Sequence, residues 1–235
     1  MNFIFDLYGT LADIRTDEES GKFKNYVEKL FGSLNPAVDF WAEYEKLCAL
    51  KTAEGGENRE IDLYSVFREI AGDAPEKKLK KAVKLFREKS RSRLKLYRGV
   101  KSGLGELKKN GARLFILSNA QECFTLAEIE KLGLTLYFDG IELSSTFGKK
   151  KPAPEFFEHI LKKYGLDPAK SVYAGNDLCA DICGARAVGL ETAYVLSNIS
   201  PEEDSIETAE KLAGFAARSH KELFDYLVSL QNGDS

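Results

Sequence analysis

Residues 2–18, NFIFDLYGTLADIRTDE, decide how this chain is read. The run Phe3-Ile4-Phe5 shows no polar alternation, ends in Asp6, and gives way to a tight Tyr8-Gly9-Thr10 turn. Continuous apolar character marks a strand buried on both faces of a sheet. A carboxylate at the end of such a strand needs a chemical reason.

Similar runs recur at 112–120 (ARLFILSNA), 140–146 (GIELSST), 170–177 (KSVYAGND) and 191–197 (ETAYVLS). Helical patterns at 101–110, 121–132, 153–164 and 179–188 separate them. Alternating strands and helices predict an α/β protein with a parallel sheet covered on both faces. The segment GFAARSH predicts an edge strand before a last helix, KELFDYLVSL. Residues 14–98 break the alternation and read almost entirely as helix: FKNYVEKLF, AVDFWAEYEKLCAL, LYSVFREIA and EKKLKKAVKLFREKSRSRLKL. Gly32, Asn35-Pro36, Gly55-Gly56 and Gly72–Pro75 interrupt them, and four such helices pack as a small bundle. The expected division is a core of 1–13 and 98–235 with a helical insert at 14–97.

The 235 residues suit one large domain, or a core with a smaller insert. With 43% hydrophobic and 30% charged residues the chain reads as soluble and globular. A net charge of -3 gives no general pull toward nucleic acid or an anionic membrane. No apolar run approaches the roughly 20 residues that cross a bilayer, so a cytoplasmic protein is expected, a monomer or homodimer acting on a small molecule. Cys48, Cys123, Cys179 and Cys183 form no CxxC pair and are expected as buried reduced thiols. His159 and His220 are the only histidines, which argues against a zinc site or a His-based hydrolase.

In an open parallel sheet, ligands bind beyond the carboxyl ends of the strands. Those ends carry Asp6, Ser118-Asn119 and Gly175-Asn176-Asp177, with Asp181 further on; Lys151 precedes Pro152 in FGKKKPAPEFF. An acidic pair plus a carboxylate makes a hard oxygen site of the kind Mg²⁺ prefers. A lysine and a hydroxyl hold phosphate oxygens, and the remaining carboxylate is able to form a covalent intermediate. Simpler readings stand beside these. Asp6 serves as a turn residue, Ser118-Asn119 cap the next helix, and Asp181 is a first-turn helix acid. Gly9 and Thr10 form the turn, or Thr10 hydrogen-bonds within the site. Lys149 and Lys150 are expected in solvent.

These four segments, in this order, resemble the haloacid dehalogenase superfamily over residues 1–12 and about 97–200. DLYGTL resembles its first motif, ILSNA its second, GKKKPAPEFF its third and GNDLCADICGARAVGL its fourth. The resemblance implies a Rossmann-like core with an inserted helical cap and a hydrolase that works through an aspartyl nucleophile. It implies Asp6 as nucleophile, Lys151 as catalytic lysine, and Ser118 and Asn119 holding the transferred group, beside Tyr8 and Thr10. Mg²⁺ would be held by Asp6, the Tyr8 backbone carbonyl, Asn176, Asp177 and Asp181. The fourth motif departs from the family's Gly-Asp, because Asn176 follows the glycine directly.

Phosphatases of this superfamily carry a second Asp two places after the nucleophile, where this chain has Tyr8. A phenol with an ordinary pKa of about 10 is a poor base at neutral pH, and loss of a positioned acid–base group slows a reaction roughly 10²- to 10⁴-fold. The first account is a Mg²⁺-dependent phosphohydrolase of small phosphorylated metabolites with good leaving groups. The second is a 2-haloacid dehalogenase, whose Asp-x-Tyr-Gly-Thr this resembles, although the expected cap arginine is replaced by Ala42 after Trp41. The third is a binding protein of low turnover. The retained acids of the fourth motif and the absent cap arginine place the first ahead of the second, and the third ranks last. Hinges are expected near 12–17 and 95–100, with Arg15 as the insert-side residue placed to meet an anion. Trp41, Tyr44 and Phe67 are expected in the bundle core.

Overall fold

The computed structural model describes residues 1–233. In chain order, β1 (Asn2–Phe5) and β2 (Ala12–Thr16) precede α1 (Gly21–Gly32), α2 (Phe40–Ala53), α3 (Leu63–Ala71) and α4 (Glu76–Ser90). Next come β3 (Arg91–Leu96), α5 (Val100–Lys109), β4 (Arg113–Ser118), α6 (Glu122–Lys131), β5 (Gly140–Leu143), α7 (Ser144–Phe147) and α8 (Pro154–Tyr164). The remainder is β6 (Ser171–Gly175), a π-helical turn (Leu178–Cys183), α9 (Gly184–Ala187), β7 (Glu191–Val195), α10 (Ile206–Leu212), β8 (Phe215–Ala217) and α11 (His220–Asn232).

β1 lies inside a six-stranded sheet of order β5-β4-β1-β6-β7-β8, and every pairing is parallel. Its side chains alternate between two cores. Phe3 and Phe5 pack with Leu114, Ile116 and Leu223, whereas Ile4 packs with Phe115, Leu117, Phe156 and Tyr173. That double burial explains the unbroken apolar runs. Local chemistry fixes the flanking helices. Pro154 opens α8, Gly165 closes it in the left-handed region at φ 61°, and the Ser219 hydroxyl caps α11 by accepting from the Glu222 amide.

The helices α1–α4 enclose a third apolar cluster containing Phe23, Phe31, Phe40, Phe67 and Phe86, with Trp41 and Tyr44 packed against it. Phe124 of α6 is buried in that same cluster, its ring parallel to Phe86 at 5.9 Å. The insert therefore shares its core with the sheet domain. A loop between α2 and α3 adds main-chain docking: Glu60 N–H donates to the Gly148 carbonyl at 3.0 Å, and Lys150 N–H to Asn58 at 2.9 Å.

Several expectations change. The predicted helix through residue 96 stops at Ser90, and Arg91–Leu96 pairs antiparallel with β2. The period of two in Arg91-Ser92-Arg93-Leu94-Lys95-Leu96 is a strand pattern hidden behind a basic helix. Residues 14–16 likewise belong to β2 rather than to helix. The run at 140–146 is strand only to Leu143, because the Ser144–Phe147 turn follows. The helix expected at 179–188 begins as the π-helical turn. Helix α10 has no counterpart in the sequence reading. Cys179 and Cys183 are exposed, and Cys48 and Cys123 half-buried, so the thiols are not the core residues expected. No helix among the described residues is long and apolar enough to cross a membrane.

Candidate active site

Parallel strands bring Asp6, Ser118 and Gly175 to one edge of the sheet, where β1, β4 and β6 end. The Asp6 amide continues the ladder by donating to the Ala174 carbonyl at 2.9 Å, which fixes the backbone behind the carboxylate. Asp6 Oδ1 accepts from Ser118 Oγ at 2.9 Å and from Lys151 Nζ at 2.7 Å. Lys151 arrives from the loop before α8 and is clamped through its own backbone. Its amide donates to Asn119 Oδ1 at 2.7 Å, and Asn119 Nδ2 donates back to the Lys151 carbonyl at 3.0 Å.

All three ammonium N–H bonds of Lys151 are taken, by Asp6 Oδ1, Asp181 Oδ1 at 2.6 Å and the Tyr173 hydroxyl at 2.8 Å. Asp181 is equally committed. Its Oδ1 also accepts from Tyr173 at 2.9 Å, and its Oδ2 accepts the Asn176 and Asp177 amides at 2.9 and 3.1 Å. A side chain at Gly175 would stand 2.4 Å from Asp181, so glycine there is what lets the acid fold back under its own loop. Asn176 is gripped similarly. Thr10 Oγ1 donates to its Oδ1 at 3.2 Å, and Gly9, at φ 95°, passes so close that a Cβ would lie 2.3 Å from its amide nitrogen. Asp177 is half-buried and caps the π-helical turn, accepting from the Ala180 amide at 2.7 Å.

These groups surround a cleft of about 280 Å³. Asp6, Ser118, Asn119, Lys151, Asn176, Asp177 and Asp181 supply its polar wall; Tyr8, Ile199 and Pro201 supply its less polar side. Three carboxylates face one ammonium there. Burial pushes the Asp6 carboxyl up to about 6; the Lys151 charge opposes the shift and the Asp181 charge reinforces it. Burial also works against the Lys151 ammonium, but Asp181 and Asp6 outweigh it and hold the group above its ordinary value. Asp6 and Asp177 leave surplus negative charge on oxygen, the chemistry a hard divalent cation meets, but among the described residues no group of three or more His, Cys, Asp or Glu is arranged to hold a metal ion.

Tyr8 is anchored elsewhere. Its hydroxyl donates to Glu128 Oε2 on α6 and lies 3.3 Å from Thr125 Oγ1. Glu128, almost fully buried, is paired with Arg87 of α4 at 2.7 Å and with Arg91 at the start of β3. Burial and then the Glu128 charge push the phenol well above its ordinary range. Burial works against the Glu128 carboxylate, yet its bonds to Arg87, Tyr8 and Arg91 outweigh it and hold the group below its usual value.

Nine of the ten sequence-predicted residues meet here in two layers, and Arg15 does not. Asp6, Tyr8, Ser118, Asn119, Lys151, Asn176, Asp177 and Asp181 line the cleft, and Thr10 lies beneath Asn176. Arg15 is exposed on β2 opposite Arg93, because the β2–β3 ribbon carries it away from the cleft. Asp181 departs from its expected place as a metal ligand: both its oxygens are spent on Lys151, Tyr173 and two amides. Sequence reading also missed Tyr173, Glu128, Arg87 and Arg91. A tyrosine inside a strand buried on both faces was the available signal, since its hydroxyl must find a partner.

Comparisons with known proteins agree with this geometry. Residues 3–195 match the haloacid dehalogenase-like hydrolase family. A ribulose-1,5-bisphosphate 5-phosphatase of Halopiger xanaduensis is 41% identical over 113 residues, a match spanning 48% of this chain and 46% of that one, about half the relative's length. A glyceraldehyde 3-phosphate phosphatase of Pyrococcus furiosus is 28% identical over 81% of this chain and 78% of its own. Among solved structures, a 2-haloacid dehalogenase from Pseudomonas syringae pv. Tomato DC3000 superposes with a TM-score of 0.64 at 19% identity, covering 97% of this chain and 98% of that one. A phosphatase from Thermococcus onnurineus gives 0.62 at 18%, covering 96% and 97%. At such identities these two likenesses speak for the fold alone. Three strand-end motifs and the Lys151 loop meeting at one cleft, in a fold shared with those structures and under a family match over most of the length, lead to one conclusion: this chain belongs to the haloacid dehalogenase-like hydrolase family.

Proposed function

We propose that the protein is a phosphohydrolase of small phosphorylated metabolites, with Asp6 as the nucleophile and Mg²⁺ as its cofactor. The observation that carries this reading is the charge pattern of the cleft: three carboxylates in its wall with a single ammonium, paired to two of them, and a hydroxyl beside the nucleophile. Asp6, Asp177 and Asn176, with the Tyr8 backbone carbonyl, would hold the cation. Bound there, Mg²⁺ would supply charge stabilisation for the phosphoryl oxygens. Asp181 acts one layer back, orienting Lys151 and the loop amides.

Asp6 attacks phosphorus and the bond to the leaving oxygen breaks, its electron pair leaving with that oxygen. Lys151 transfers its hydrogen bond from Asp6 to a phosphoryl oxygen as the carboxylate charge is consumed, and the Ser118 hydroxyl donates to another. Such charge stabilisation, with positioning, carries most of phosphoryl transfer. Tyr8 contributes no proton, because its hydroxyl already donates to Glu128 and its acidity is reduced. Acyl phosphates, which leave without one, are the preferred substrates. The helices α1–α4 act as the cap, fixed over α6 by Phe124 and Glu128.

A panel of acetyl phosphate, p-nitrophenyl phosphate and 2-chloropropionate, each with and without EDTA, tests the reading. Phosphate release fastest from acetyl phosphate and lost with EDTA is expected. Chloride release that survives EDTA would replace it with dehalogenation, to which Tyr8 is equally suited. Incubation with Mg²⁺ and beryllium fluoride should modify Asp6 alone.

A further inference from the structure

Tyr173 lies within β6 with no exposed surface, among Ile4, Leu117 and Phe157. Packing alone needs only a phenylalanine ring there. The hydroxyl nevertheless accepts from Lys151 Nζ at 2.8 Å and donates to Asp181 Oδ1 at 2.9 Å, with the Leu117 carbonyl as a second acceptor at 3.2 Å. Of the three acceptors around the ammonium it is the only uncharged one.

We propose that Tyr173 is a positioning residue for Lys151. The ammonium turns about its Cε–Nζ bond, and Asp6, Asp181 and Tyr173 occupy its three N–H bonds. With the third acceptor in place no N–H is left to seek another partner, and one of the three stays on Asp6. When Asp6 attacks phosphorus, its charge passes to the phosphoryl oxygens, and Asp181 becomes the stronger attractor for Lys151. The Tyr173 hydroxyl holds Nζ against that pull and also divides the Asp181 oxygen between two donors. The inference rests on the phosphohydrolase reading for its kinetic consequence, but not for the contact itself.

The test is Tyr173→Phe assayed on acetyl phosphate. The expected loss in kcat is about 10- to 100-fold, the range for one hydrogen bond to a charged group, with KM changed less than about threefold. In a Lys151→Gln background the same substitution should alter kcat less than about twofold, since its effect runs through the ammonium. Phe157→Leu, in the same apolar cluster, should lower the unfolding midpoint and spare kcat. Unchanged kcat in Tyr173→Phe, or an equal loss in both backgrounds, overturns the proposal. If Tyr173→Phe does not fold, 3-fluorotyrosine at position 173 keeps the shape and weakens the oxygen as an acceptor, and a smaller loss of kcat is expected; none would overturn it. A second readout needs no turnover. The Lys151 ammonium should give a slowly exchanging NMR signal in the wild-type protein that broadens in Tyr173→Phe. A wild-type protein inactive on every phosphate would remove the phosphohydrolase reading, while this signal would still decide the role of Tyr173.

Discussion

Asp6 and Tyr8 stand two residues apart and belong to opposite kinds of cluster. Around Asp6, carboxylates outnumber cations: Asp6 and Asp181 share Lys151, and Asp177 lines the same cleft with no cation of its own among the described residues. Around Tyr8 the charges balance, with Arg87 and Arg91 on the carboxylate of Glu128 and Glu18 3.9 Å from Arg87. The first cluster is two positive charges short and is suited to a ligand. The second is self-sufficient, joins α4 to α6, and is suited to holding the insert down. The difference teaches that burial and charge do not by themselves mark a site; what marks it is an imbalance left for a substrate or metal to correct.

The largest expected effect breaks the first cluster. Asp6→Asn should lower phosphate release on the order of 10⁴-fold or more. It should also flatten the stability curve of the metal-free protein. Asp6 titrates near 6 in the fold against an ordinary 3.8, so its favourable contribution is complete below 3.8 and lost as the pH rises through 6. Two pH units correspond to about 3 kcal/mol. Denaturant unfolding of wild type and variant at pH 4 and pH 7.5, in EDTA, reads this directly. Lys151→Gln should slow turnover about 10²- to 10³-fold and destabilise the protein by about 3 kcal/mol, because Asp6 and Asp181 are left buried without a cation.

Breaking the second cluster should leave chemistry largely intact. Glu128→Gln should lower stability by about 3 kcal/mol while kcat on acetyl phosphate changes less than about threefold. The Glu128 carboxyl lies below its ordinary 4.5, so its contribution is present above pH 4.5 and fades as the pH falls through the lowered value; wild type and variant should therefore converge in acid. The smallest effect sharpens the comparison. Tyr8→Phe should cost about 1 kcal/mol of stability and alter acetyl phosphate turnover less than about threefold. A 100-fold loss of kcat there would make Tyr8 and Glu128 a proton-transfer pair and merge the two clusters into one site.

Much of the fold was legible because β1, β4, β6 and β7 are buried on both faces, and burial of that kind writes itself as continuous apolar sequence. The β2–β3 ribbon was not, since six residues of alternation follow fifteen of basic helix without a break. Among site residues, Asp6, Ser118 and Lys151 were legible as polar side chains at or beside strand ends. Asp181 was legible as an acid and not as a scaffold, because two of its partners are backbone amides that any sequence would offer and a third, Tyr173, reads as core. Arg15 was misplaced by assuming that whatever follows strand one faces the cleft. Tyr173 was hidden by its strand, which reads as core.

Phe124 has a consequence for how the chain is made. The apolar cluster of α1–α4 is complete only when this residue, more than thirty positions beyond α4, has been added. On the ribosome the insert is synthesised first and must wait for β4 and α6 before its centre closes. A chain with residues 14–97 cut out would leave Phe124 bare and Glu128 without Arg87 or Arg91, whereas the insert alone would keep a hole of one phenyl ring. The two parts are separable in sequence order and inseparable in assembly.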